Sequence, residues 1–293
     1  MRRGRESKGQ RSVVRGPVPG QYPVRFGMAE LLADLDWPNG WLLSVDGVAQ
    51  SYVDLDDPTH LEFDYVRRIG DVIDCLGQPE EALDALHIGG GGCTVPRYIA
   101  ATRPGSRQLV FDADGDLIDL VREHLQLRTV PALRVRVCDG REGVTTRRDD
   151  SADLVVLDAF QSASMPGGLA TQEFVGDIAR VLRPDGTVIV NVTDGPGLKF
   201  ARRVVATLRL VFPQVLLVAE PAVLRGRRFG NLVLVGSTAD LPVAEITTRV
   251  HSAAFPARCV ADADLIKLCA GAEPITDTAP MVAPVPPKRA FGG

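Results

Sequence analysis

The chain has 293 residues, 45% of them hydrophobic and 24% charged, which suffices for one large α/β domain and a smaller appendage. It holds no apolar stretch of the roughly 18 to 20 residues that span a bilayer, and Met1–Gln10 lacks the apolar core of a secretory signal. Its five cysteines are scattered without a CxxC pair, so neither a zinc site nor a disulfide framework is indicated. We therefore expect a cytoplasmic protein without a metal or a membrane anchor.

Residues 1–20 are predicted to be a disordered basic arm. Residues 1–15 hold six basic side chains and one acidic one, whereas the whole chain has a net charge of −4. The arm contains no aromatic residue on which a base could stack, so nucleic acid is not an expected partner. The acidic remainder suits a cationic substrate better.

Residues 21–81 are predicted to form a small N-terminal β-hairpin unit followed by a helix. Two apolar runs, 41–45 and 48–53, flank Asp46-Gly47, a pair that suits a two-residue type I′ turn. Asp57-Pro58 matches a helix N-cap with proline at the first helical position. Apolar residues recur at helical spacing from Leu61 to Leu76.

Residues 82–280 are predicted to form a Rossmann-like α/β domain, followed by a Pro-rich tail over 281–293. The expected strands are 85–88, 108–111, 134–138, 154–157, 187–192, 215–218 and 232–235, with helices near 95–102, 115–127, 171–183 and 198–211. Uniformly apolar strands separated by helices are typical of a parallel sheet covered on both faces. The last two strands are expected to pair antiparallel. This is the seven-stranded pattern of class I S-adenosylmethionine-dependent methyltransferases.

Three strand ends predict a nucleoside site. The first strand runs into Gly89, Gly90, Gly91 and Gly92, where the backbone can approach a ligand closely. Asp112 ends the second strand and could accept hydrogen bonds from ribose hydroxyls. Asp139-Gly140 ends the third strand, beside the expected adenine. The absence of a GxGxxG fingerprint argues against NAD or FAD.

Asp158 ends the fourth strand, at the reacting end of a ligand placed over the first two strands. A carboxylate there could hold and deprotonate an amine, which makes Asp158 the candidate catalytic residue. Capping of a turn is the alternative role. Asp114, two residues after Asp112, is interpreted as the N-cap of the next helix.

The order of these motifs resembles the polyamine aminopropyltransferases, the spermidine and spermine synthases, and especially a divergent actinobacterial branch. The resemblance covers about residues 41–280. It rests on Asp46-Gly47 followed by Gln50, on the glycine loop and Asp112, on Asp139-Gly140, on Asp158, and on Ile275-Thr-Asp-Thr-Ala-Pro280 near the end. It implies a cofactor site made of the residues Gln50, Gly89, Gly90, Gly91, Asp112, Asp139 and Gly140. It also implies a homodimer and a small-molecule amine substrate.

Two acidic positions of the family pattern are changed. Gly92 replaces the aspartate of the GGGDGG loop, and Gln161 replaces the second acid of the D-x-x-D gate. The resemblance places Gln161, Tyr65 and Asp277 at the substrate. Charge-assisted hydrogen bonds are worth about 1.5 to 3 kcal/mol each, so a polycation would bind weakly unless other acids compensate.

Three functions remain open at this point. An aminopropyltransferase would use decarboxylated S-adenosylmethionine and putrescine or a related amine. A methyltransferase would use intact S-adenosylmethionine, whose carboxylate the backbone amides around Gly92 could bind. A catalytically silent nucleoside-binding relative would keep only the fold.

Overall fold

The computed structural model describes residues 16–161 and 164–287. Residues 1–15, most of the predicted arm, and 288–293, the end of the predicted tail, lie outside the described residues. Both segments form hydrogen bonds with the folded domain where the structure describes them. The Val18 N–H donates to Nδ1 of His124, and Ala283, which is buried, accepts from the Ser164 hydroxyl. Residues 18 and 283 thus contact the folded domain, and the boundaries at residues 20 and 281 stay predictions.

Within the described residues, the first strands form an antiparallel sheet in the order β1-β2-β3-β4, here called the N-terminal sheet. Its strands are β1 (Gly20–Val24), β2 (Gly27–Ala33), β3 (Gly40–Val45) and β4 (Val48–Asp54). Asp46 and Gly47 adopt φ angles of 49° and 76°, as the β3–β4 turn requires. The predicted hairpin is thus the second half of a larger sheet.

The remaining described strands form the central sheet, in the order β12-β10-β11-β9-β8-β5-β6-β7. They are β5 (Asp84–Ile88), β6 (Arg107–Asp112), β7 (Leu133–Val137), β8 (Ala152–Leu157), β9 (Leu182–Asp194), β10 (Gln214–Ala219), β11 (Gly230–Ser237) and β12 (Arg258–Ala261). Strands β7, β6, β5, β8 and β9 are parallel, and β10 and β11 pair antiparallel as predicted. The predicted seven-stranded pattern is confirmed, and β12 adds an edge strand.

Helices cover both faces of the central sheet. They are α1 (Asp64–Asp74), α2 (Thr94–Thr102), α3 (Gly115–His124), α4 (Gly140–Thr145), α5 (Gln172–Val181), α6 (Lys199–Leu208), α7 (Pro221–Leu224), α8 (Val243–Ser252) and α9 (Asp262–Leu268). One core cluster joins α4, α5 and α6 to the sheet, and a second joins α1, α2 and α8 to the other face. A third lies between the N-terminal sheet and α3.

The first helix begins at Asp64, seven residues after its predicted N-cap. Asp57 instead accepts hydrogen bonds from the N–H and hydroxyl of Thr59, which closes a local turn. Residues Leu61, Ile69, Val72 and Ile73 pack on the central sheet. The helix therefore belongs to the layers of the large domain, and its predicted grouping with the N-terminal unit is corrected.

Candidate active site

A cavity of about 870 Å³ lies at the carboxyl edge of the central sheet, between that edge and the N-terminal sheet. Its volume is in the range of pockets that enclose small molecules and cofactors. Two groups of residues line it on opposite sides of Asp158. We call Gly89–Gly91, Asp112, Asp139 and Gly140 the glycine lobe, and we call Glu62, Asp64, Arg68, Asn191, Thr193, Glu220, Arg228 and Asn231 the polar lobe.

The strand order explains this division. Strand β8, which ends before Asp158, lies between β5-β6-β7 on one side and β9-β11-β10 on the other. The first group of strands provides the glycine lobe, and the second group, together with the start of α1, provides the polar lobe. Asp158 therefore stands where ligands in the two lobes would meet.

The glycine lobe depends on close backbone approaches. A Cβ atom on Gly89, whose φ is +92°, would lie 2.1 Å from the carbonyl oxygen of Asp158. A Cβ on Gly140 would lie 2.4 Å from Cγ2 of Ile88. Neither contact is possible with a larger residue unless the backbone moves, so both glycines are required for the close packing of this wall.

Gly92 does not line the cavity. Its buried N–H donates to Oγ of Ser51 at 2.9 Å, and a Cβ at this position would lie 2.8 Å from Cγ2 of Val53. This amide N–H already donates to a side chain of β4, so it is not placed to bind the carboxylate of an intact cofactor. The predicted contact between this amide and the carboxylate of an intact cofactor is therefore not supported, and the glycine packs against β4.

Asp112 organises the glycine loop. Its Oδ2 accepts from the N–H groups of Gly90 at 2.7 Å and Gly91 at 3.3 Å, and its Oδ1 accepts from the N–H of Asp114. Burial raises the pKa of the carboxyl, against the lowering effect of these backbone donors. Each carboxylate oxygen can accept more than one hydrogen bond, so Asp112 keeps acceptor capacity toward the cavity.

Asp114 caps α3, as predicted, by accepting from the N–H of Leu117 at 2.9 Å. The same carboxylate accepts from the N–H groups of Arg25 and Phe26, both at 3.2 Å. Phe26 lines the cavity. The β1–β2 turn is thereby attached to the glycine lobe.

Asp139 is the N-cap of α4, and its Oδ1 accepts from the N–H groups of Arg141 and Glu142. Asp139 is exposed and lines the cavity next to Gly140. The structure thus brings it to the same lobe as Asp112, where the sequence predicted it.

Asp158 has two polar neighbours. Its Oδ1 accepts from Nδ2 of Asn191 at 2.8 Å, and the hydroxyl of Tyr65 donates to the same carboxylate. Asn191 is oriented in turn by Asn231, whose Nδ2 donates to it at 3.1 Å. Burial raises the pKa of Asp158 to about 6 despite these donors. Asp158 and burial raise the pKa of Tyr65 well above its usual value.

Gln50 and Gln161 also line the cavity, so the structure collects most of the predicted site residues around it. Asp277 is the exception. It forms a bidentate ion pair with Arg141, with distances of 2.7 and 2.5 Å, and its N–H donates to Glu173. It is absent from the cavity wall, and its role at the substrate stays a prediction.

Sequence reasoning missed most of the polar lobe. Asn191 and Asn231 follow no recognisable motif, since each lies within an apolar strand. A polar residue inside a buried strand is itself a signal, because burial without a partner is costly. Thr193, two residues after Asn191 and 4% exposed, has a hydroxyl without a hydrogen-bond partner among the described residues.

No helix in the described part of the chain is long and apolar enough to cross a membrane.

Comparison with known proteins supports this reading of the fold. Residues 86–190 match the family model for a methyltransferase domain. A spermidine synthase in complex with the transition state analogue AdoDATO has a TM-score of 0.57 at 16% identity, over 80% of this chain and 77% of that one. The sheet order and these likenesses define the class I methyltransferase fold.

More similar proteins define the family. A probable spermidine synthase from Corynebacterium glutamicum is 32% identical with a TM-score of 0.83, covering 89% of this chain and 97% of its own. A polyamine aminopropyltransferase from Chromobacterium violaceum is 29% identical over 50% of this chain and 55% of its own length. One from Pyrobaculum aerophilum is 31% identical over 36% and 40%. The chain thus spans about half the length of the curated relatives it matches. It belongs to the spermidine synthase-like family of transferases.

Proposed function

We propose that this protein transfers an aminopropyl group from decarboxylated S-adenosylmethionine to putrescine or a related small amine. The observation that supports this most directly is Asp158, a carboxylate with a pKa of about 6 between the two lobes. Below its pKa it would be neutral, and above it the ionised form can accept a proton from an ammonium group.

The glycine lobe fits a nucleoside. Gly89 and Gly140 line this lobe with backbone that packs too closely against Asp158 and Ile88 for a side chain, and Asp112 and Asp139 present carboxylates to the same space. Asp112 would accept from ribose hydroxyls and Asp139 from the adenine amine. Gln50 on β4 would contact the group attached to the sulfur from the opposite wall.

The residues around Asp158 would prepare the acceptor amine. The sulfonium of the bound donor supplies an activated leaving group, so the protein mainly has to position and deprotonate the amine. Asp158 takes one proton from the acceptor ammonium, and Asn191 and Tyr65 hold the carboxylate in place. The freed nitrogen pair forms the new bond to the aminopropyl carbon while that carbon's bond to sulfur breaks. The positive charge ends on the product amine, and 5′-methylthioadenosine leaves as a neutral thioether.

The test is a product assay with each donor in turn. The purified protein is incubated with decarboxylated or intact S-adenosylmethionine and a panel of amines, and 5′-methylthioadenosine and the alkylated amines are measured by mass spectrometry. We expect 5′-methylthioadenosine only with the decarboxylated donor, and none with the Asp158→Asn variant. Asp277→Asn, an identical change outside the cavity, serves as the matched control. Methylated amine from the intact donor would contradict the proposal.

A further inference from the structure

The polar lobe contains a buried cation that its surroundings do not satisfy. Arg68, on α1, is 5% exposed and lines the cavity. Its Nε has no hydrogen-bond partner among the described residues, and its closest carboxylate, Asp64, is 3.8 Å from NH2. A guanidinium offers five N–H donors in a planar fork, and a buried donor without an acceptor, such as Nε here, is costly.

The neighbouring acidic groups pair with this guanidinium only through the 3.8 Å contact to Asp64. Glu220 lines the same lobe, but its carboxylate pairs with Arg228. Burial lowers the pKa of Arg68, against the opposing effect of Asp64 and Glu220. Thr193 adds a buried hydroxyl without a partner in the described chain. Arg68 and Thr193 therefore offer donors to a ligand at this point of the lobe, which suits an anion.

The position of Arg68 fixes where that anion would lie. Tyr65, which donates to Asp158, is three residues earlier on the same helix. Side chains three residues apart on a helix are neighbours, with Cβ atoms about 5 to 6 Å apart. A molecule with an amine at Asp158 and a carboxylate on a short alkyl chain would thus reach both groups.

We propose that Arg68 binds a carboxylate carried by the amine acceptor, so that the acceptor is an amino acid or a similar zwitterion. This inference rests on the proposed function, because it names the class of its acceptor. Planar, bidentate recognition by arginine is well suited to a carboxylate. The carboxylates of the polar lobe would remain available to the acceptor's second amine.

The kinetic test uses pairs of amines that differ only in a carboxylate: ornithine against putrescine, and lysine against cadaverine. With decarboxylated S-adenosylmethionine as donor, we expect kcat/KM to be at least tenfold higher for the carboxylated member of one pair. Arg68→Met should remove that preference, and Arg68→Lys should restore part of it. Arg67→Met, the neighbouring arginine off the cavity wall, should keep the preference.

Three outcomes would overturn the inference. One is aminopropyl transfer that favours the diamines in the wild type and is unchanged in Arg68→Met. Another is a loss of affinity in Arg68→Met that affects only intact S-adenosylmethionine, since this would assign the carboxylate to the donor.

The third outcome applies if no amine accepts an aminopropyl group, in which case the proposed function fails separately. Calorimetry of ornithine and putrescine with the 5′-methylthioadenosine-bound protein then decides the inference, and equal binding of the two would reject it. Thermal melting of each variant verifies folding.

Discussion

Replacing Asp158 with asparagine should abolish activity and stabilise the fold. Burial raises the pKa of Asp158 from the usual 3.8 to about 6, a difference of about two pH units. Each unit corresponds to about 1.4 kcal/mol, and screening in a half-buried position reduces the total, so about 1 to 3 kcal/mol is involved. Because the folded protein holds this proton more tightly than the unfolded chain, ionisation of Asp158 lowers stability as the pH rises from about 4 to above 6.

Asparagine keeps an acceptor for Asn191 but never ionises. The free energy of unfolding of Asp158→Asn should therefore exceed that of the wild type by about 1 to 3 kcal/mol at pH 8, and the two should converge below pH 4. The measurement is urea denaturation of both proteins at pH 4, 6 and 8. In the wild type, kcat/KM should rise with pH through about 6, and the variant should lose at least about 100-fold in kcat.

Asp277→Asn provides a control in which the change in stability should have the opposite sign. In the wild type, the hydrogen bond with Arg141 lowers the pKa of the Asp277 carboxyl, so this ionised group favours the folded state at neutral pH. That variant should be less stable than the wild type at pH 8, and the difference should shrink as the pH falls below the usual pKa. An Asp158→Asn protein that is less stable than the wild type at pH 8, or shifted equally at every pH, would refute the reasoning.

Two further substitutions, and a further measurement on Asp277→Asn, test other parts of the site. Ser51→Ala should cost about 1 to 3 kcal/mol of stability, because the buried N–H of Gly92 loses its acceptor, yet leave donor affinity within threefold in calorimetry. Asp112→Asn should weaken 5′-methylthioadenosine binding at least about tenfold, because it removes a carboxylate that accepts backbone hydrogen bonds of the glycine loop. Asp277→Asn should leave the KM of the acceptor within twofold, and a larger rise would return this residue to the substrate site.

The parallel strands could be predicted because each is an apolar run between helices, and local turn chemistry identified the hairpin and the Asp114 cap. Strand β12 was not predicted because its four residues, which lie between two helices, show no alternation of polar and apolar side chains. The start of α1 was misplaced because Asp57 satisfies a neighbouring N–H equally well in a turn.

The residues of the candidate site also fall into those that the sequence predicts and those that only the fold brings together. Residues that follow strands at the expected carboxyl edge, such as Asp112 and Asp158, are visible in the sequence. Arg68, Asn191 and Asn231 are brought together from distant parts of the chain by the antiparallel return of β11 beside β9. The position of Asp277 depends on the path of the final segment, which carries no periodic pattern.

The carboxylate of Asp114 has a consequence for dynamics. It caps α3 and also accepts from the N–H groups of Arg25 and Phe26, so one side chain ties a surface turn to the framework of the glycine lobe. Local opening of that turn requires both hydrogen bonds from Arg25 and Phe26 to be exchanged for water together. A ligand held against Phe26 would slow amide hydrogen exchange across β1 and β2, far from Asp158 along the chain. Binding at the nucleoside site would thus be detectable as slower amide hydrogen exchange in the N-terminal sheet.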